Sequence, residues 1–105
     1  MGGVYRASDR VDNEEWVREL QAVCERLELA SAARTTATDL FLSTAPDADR
    51  SKPAAIAASV YAASLLEGDE RSQTAVADAA DVSRLSVQQR WKGILEEAGF
   101  EPPSW

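Results

Sequence analysis

Five side chains near the end of the chain, Arg84, Leu85, Gln88, Gln89 and Lys92, have types and a spacing suited to reading a duplex. On a helix, residues three and four apart share a face, so these five lie on outward surfaces while Val87 and Trp91 turn toward a core. Glutamine can bond adenine through two hydrogen bonds, leucine can touch a thymine methyl, and arginine can reach guanine or phosphate. Arg71 and Arg90 join them as candidates for phosphate contact, together with Ser83 and the amides of the helix N-terminus that it caps. Other chemistry finds few groups. The chain has no histidine, which removes the commonest general base and metal ligand. Its one cysteine, Cys24, fits neither a disulfide framework nor a zinc spacing. The acids Glu14, Glu15, Glu19, Glu25 and Glu28 fall mainly off the apolar stripe of their helix, a solvated face rather than a catalytic pair. No catalytic residue, metal site, cofactor or enzyme activity is expected.

The elements that must hold the row can be read from periodicity. Residues 1–11 form a polar lead-in, and Asp12 to Glu15 make a capping-box arrangement that opens a first helix. Trp16, Val17, Leu20, Val23, Cys24 and Leu27 recur at helical spacing along it, which makes Cys24 a buried thiol. Ser31 is expected to cap a second helix, with Ala33, Ala37, Leu40, Phe41 and Thr44 inward and the turn Pro46 to Asp49 at its end. Ser51 then caps a third, with Pro53 in the first turn. Residues 54–66 have almost no charged face, so this helix should be surrounded by protein, up to Gly68. Ser72 and Ser83 cap the fourth and fifth helices; the fifth stops at Gly99 before the tail 101–105. The expectation is an all-α domain of five helices over residues 12–100.

The last two helices are spaced as a helix-turn-helix. Val76 and Ala77 supply an apolar and a small residue for close packing, Val82 plugs the turn, and Val87 and Trp91 pin the last helix. Asp81 stands where glycine usually takes the left-handed conformation, which Asp tolerates. Helix pairs of this spacing also occur in bundles that touch no nucleic acid, so both readings stand on the pattern alone.

Charge separates the chain into two regions. Eighteen acids oppose eleven bases, for a net −7. Segment 71–95 nevertheless carries Arg71, Arg84, Arg90 and Lys92 against Asp78 and Asp81. Residues 9–30 hold three arginines against seven acids. The bases are nearly all arginine, with only Lys52 and Lys92 as lysines. An acid-rich, lysine-poor, alanine-rich chain suits a concentrated-salt cytoplasm, where self-repulsion is screened within a few ångströms. No apolar run reaches the roughly 20 residues of a membrane span, and the start lacks a signal core. A cytoplasmic protein without membrane contact, monomeric, is expected.

The stretch from Trp16 to Phe100 resembles one cyclin-like repeat of archaeal transcription initiation factor IIB, closest to the second repeat. The matching words are Arg50-Ser51, then "AAIAASVYAASLLEGDERSQTAVADAADVS", then "LSVQQRWKGILEE". The resemblance implies a five-helix cyclin-like repeat whose last two helices enter the major groove beside the TATA box. It implies double-stranded promoter DNA as a partner, with TATA-binding protein and RNA polymerase components. The family's base-reading positions fall on Leu85, usually valine, and Gln88, usually arginine, and Arg50 matches a residue that touches the DNA backbone. Lys52 replaces a usual proline. The sequence holds no cysteine-rich zinc ribbon and one repeat only, so a relative that tunes or competes with initiation is expected rather than a complete factor. The competing expectation is a cyclin-box adaptor that binds proteins and not DNA.

Overall fold

A computed structural model of the chain describes residues 13–46 and 48–100. Five α-helices follow one another: α1 (Glu14–Arg26), α2 (Ser31–Thr44), α3 (Lys52–Leu66), α4 (Gln73–Ala80) and α5 (Arg84–Glu97). A 3-10 turn, Asp49–Ser51, leads into α3, and no strand occurs among the described residues.

Helix α3 is the axis of the domain. Ten consecutive residues, Ala55 to Ser64, are buried, and α2 and α5 pack most extensively against it. The absence of a charged face thus does what the sequence requires of it: a helix apolar all round must be enclosed by its neighbours. Alanines Ala57, Ala58, Ala62 and Ala63 bring those neighbours close, and Tyr61 meets Trp91 of α5 edge to face at 5.2 Å between ring centroids. Such an aromatic pair adds about 0.5–1.5 kcal/mol beyond its buried area. Helix α1 turns Val17, Leu20, Val23 and Cys24 into the same core.

Two of the expected caps, Ser31 and Ser51, are organised otherwise, and a third falls on a residue that is not described. Asp12 lies outside the described residues, and Asn13, at the N-cap position of α1, makes no side-chain capping bond. Ser31 is the first residue of α2 rather than its cap, and Ala30 precedes it in extended conformation. That corner is held from across the fold: the Ala30 N–H donates to Asp69 Oδ2 at 2.9 Å. Ser51 belongs to the 3-10 turn, which runs directly into α3 and supplies the entry that a capping side chain would have given. Gly68, at φ +70°, ends α3 as expected, with the Asp69 N–H returning to the Ser64 carbonyl at 2.9 Å.

Candidate nucleic-acid interface

The approach to α5 is built residue by residue. The Ser72 side chain accepts the Ala75 N–H at 3.0 Å and starts α4. Val76 and Ala77 are buried, and the helix ends at Asp81, whose φ of 58° and ψ of 46° are left-handed. Asp and Asn are the non-glycine residues that enter this region most readily. The Val82 N–H donates back to the Ala77 carbonyl at 3.0 Å, a helix-ending bond, and its side chain packs against the core. Ser83 then caps α5, its Oγ accepting the Ser86 N–H at 3.2 Å and pairing with Ser86 Oγ at 2.9 Å. Three residues thus connect the two helices, each by an intelligible local choice.

Val87, Trp91, Ile94 and Leu95 are the buried side of α5. With that side fixed, Ser83, Arg84, Leu85, Gln88, Gln89 and Lys92 are all exposed. Leu85 is 55 % exposed, the most exposed of the large hydrophobic side chains among the described residues, ahead of Phe100 and Leu66. Arg84 sits between two glutamines, its Nη1 donating to Gln73 Oε1 and to Gln88 Oε1, each at 3.2 Å. The first bond crosses from α5 to the start of α4, so Arg84 holds the Gln88 amide in place relative to both helices. Gln73 had no signal in the sequence, because the pairing spans eleven residues and a turn. Glu96 is also exposed, one turn beyond Lys92, and places a carboxylate at the far end of the row. Arg90 is exposed too, and its place in the helical repeat puts it on the flank opposite Gln88.

The two remaining candidates part company. Arg50 is exposed in the 3-10 turn. That turn and the α4–α5 turn border one groove, through Asp49 and Asp81. Arg71 is half-buried and occupied with the fold itself. It donates from Nε to the Leu27 carbonyl at 3.0 Å, from Nη2 to the Glu28 carbonyl at 3.3 Å, and from Nη1 to Asp69 Oδ1 at 2.8 Å. Further bonds from Nη1 reach the carbonyls of Asp69 and Glu70. Spacing placed Arg71 beside a helix N-terminus; only the tertiary structure shows that two chain corners compete for its guanidinium.

Two titratable groups are displaced from their ordinary values. The Ala30 N–H, followed by the Arg71 guanidinium, holds the Asp69 carboxyl below the usual carboxylate value. Burial pushes the Cys24 thiol up to about 11, against a smaller opposing pull from Arg34. Neither lies on the α5 row.

Four helices around an enclosed alanine-rich one, with a capped helix pair at the end, define an all-α cyclin-like repeat. The chain matches the model of the transcription factor TFIIB repeat over residues 13–97, and it belongs to that family. Transcription initiation factor IIB 7 of Halobacterium salinarum is 32% identical over 80 residues, covering 73% of this chain and 25% of that protein. Transcription initiation factor IIB of Pyrococcus horikoshii is 44% identical over 48 residues, 46% of this chain and 16% of its own length. That of Methanopyrus kandleri is 42% identical over 50 residues, 47% and 16% respectively. The chain spans a quarter or less of each of these curated relatives. Among the described residues, no helix is long and apolar enough to cross a membrane.

Proposed function

We propose that this repeat binds double-stranded promoter DNA, with α4 and α5 acting as a helix-turn-helix and α5 entering the major groove to modulate transcription initiation. The observation that carries the reading is the exposed row of α5, held by its buried valine and tryptophan. In this reading Leu85, Gln88 and Gln89 meet base edges, while Arg50, Ser83, Arg84, Lys92 and the first amides of α5 meet the backbone. Arg71 is left out, because its donors are committed within the fold. Gln88 in place of the family's usual arginine shifts the preferred partner toward adenine. The family resemblance adds TATA-binding protein or polymerase components as neighbours on the promoter.

The net charge of −7 does not oppose this in a salt-rich cell. Counterion release loses its driving force as salt rises, so specific contacts and a local basic row outweigh overall charge. The test is a titration of the isotope-labelled chain with mixed-sequence promoter duplexes in molar potassium chloride, following each backbone amide. Shifts concentrated from Ser83 to Lys92 support the reading. Their absence there transfers the function to protein partners, the adaptor alternative.

A further inference from the structure

A groove of about 630 Å³ opens between α1, the start of α3 and the end of α4. Its floor is apolar, from Trp16, Val23, Pro53, Ile56 and Ala80, and its rim carries the carboxylates of Glu15, Glu19, Asp49 and Asp81. All four acids are exposed. Two of them have a cation nearby. Asp49 pairs with Lys52 at 3.2 Å, and Glu19 with Arg26 at 3.6 Å. Neither pairing neutralises the rim. Asp49 remains 78 % exposed and Glu19 48 % exposed, so both carboxylates still face water and an incoming cation, and the exposed Glu19–Arg26 pair contributes little because water screens it. Arg26 is also drawn to the Ala79 carbonyl at 2.7 Å. Glu15 and Asp81 have no ion pair among the described residues. Lys52 lies 5.9 Å from the centroid of Trp16, with only 12 % of its side chain exposed, and so helps to hold the indole at the edge of the groove.

We infer that this groove docks a basic, aliphatic peptide segment of a partner protein, leucine-like side chains on the floor and lysine or arginine against the rim. Charge complementarity selects the occupant. Four carboxylates repel phosphate, which disfavours nucleic acid as the occupant of the groove itself. Beside the Trp16 indole, the polar side chains that line the groove are four exposed carboxylates, none of them a buried anchor of the kind that orients a small molecule. An apolar centre edged by charge is instead the arrangement of a protein-recognition surface. The groove borders the proposed DNA contacts at two places, the 3-10 turn beside Arg50 and the α4–α5 turn, but none of those contacts lines it, so the site stands whether or not α5 enters DNA.

The test pans a display library of random dodecapeptides on the full chain, in moderate salt, then maps the enriched peptides by amide shifts. Enriched sequences should carry at least two lysines or arginines around leucine, isoleucine or methionine, and should shift the Trp16 indole and the Ile56 amide. The double variant Glu15→Gln, Asp81→Asn should bind them about fivefold more weakly, two surface charge pairs being removed. Asn keeps the left-handed turn open to it, and the circular dichroism of the variant checks the fold. Acidic or uncharged winners, no enrichment, or shifts away from the groove would overturn the proposal. So would binding that appears only after residues 1–12 are deleted, which would make the chain's own lead-in, with Arg6 and Arg10, the occupant. Self-association in sedimentation, abolished by the same double variant, would assign the groove to a second copy instead.

Discussion

The Arg71 guanidinium reaches Asp69 Oδ1 at 2.8 Å while its other nitrogens donate to the carbonyls of Leu27 and Glu28. The second oxygen of Asp69 takes the Ala30 N–H. Two residues of the α3–α4 loop thus fasten the α1–α2 corner, where Glu28 adopts a φ of 56°. Planar, forked donors make this possible, and an ammonium cannot copy them. Arg71→Ala should destabilise the fold by about 1–2 kcal/mol, Arg71→Lys should restore little of it, and the proposed DNA binding of the folded fraction should be the same in both as in the parent chain. The Asp69 carboxyl is held below its ordinary value, so its contribution is present above that value and is lost as pH falls through the lowered one. Asp69→Asn should therefore lower stability near neutral pH and flatten the acid limb of an unfolding curve measured against pH.

Gln88 and Lys92 should fail differently. Under the proposed reading, Gln88→Ala takes away an amide assigned to a base edge and should change sequence preference, at a cost of about 1–3 kcal/mol on the preferred site. Lys92→Ala takes away a contact assigned to the DNA backbone and should weaken all duplexes alike. Arg84→Ala should resemble Gln88→Ala in direction, because it releases the Gln88 amide that Arg84 holds. Competition binding with randomised duplexes separates these outcomes; unchanged selection in all three variants would remove α5 from the groove.

Gly93 has no structural reason to be glycine. It lies within α5 with helical φ, and a Cβ built there meets nothing within 4 Å. Glycine in a helix interior is less favourable than alanine by roughly 0.5–1 kcal/mol. Gly93→Ala should raise stability by about that amount in a urea titration, and a loss would mean that the outer side of α5 is not open as described.

Ser59 is fully buried in α3, and its hydroxyl has no hydrogen-bond partner among the described residues. Its size, rather than its polarity, is what the close helix packing requires. Ser59→Ala keeps that size and removes an unsatisfied group, so stability should hold or rise by up to about 1 kcal/mol. A clear loss in thermal unfolding would show that the hydroxyl finds a partner in solution.

Cys24 is fully enclosed between α1 and the core, and burial lifts its thiol to about 11. The unfolded chain releases this proton at lower pH than the native one does. The stability it confers is therefore complete below pH 9 and is lost as pH rises toward 11, by on the order of 2 kcal/mol. Cys24→Ala should make the alkaline limb shallower. In the native protein the thiol should resist a disulfide reagent until global unfolding exposes it.

Five helices and their order could be read from apolar spacing, because each helix writes its buried side as a recurrence of three and four residues. The enclosure of α3 was equally legible, since a run without charged residues has no side to give to water. The local turn chemistry at Ser72, Asp81 and Ser83 also followed from residue type, as it depends on neighbours within four positions. Other features depend on distant partners. Ser31 lost its capping role, since Asp69 fixes that corner from across the fold. Arg71 became a tie between two corners. Gln73 entered the α5 row through Arg84, and the acid-rimmed groove was assembled from α1, the 3-10 turn, α3 and the α4–α5 turn. Sequence spacing determines which side of a helix is apolar. The packing of helices decides which charged groups meet, because charges far apart in the chain interact only after the core has brought them together.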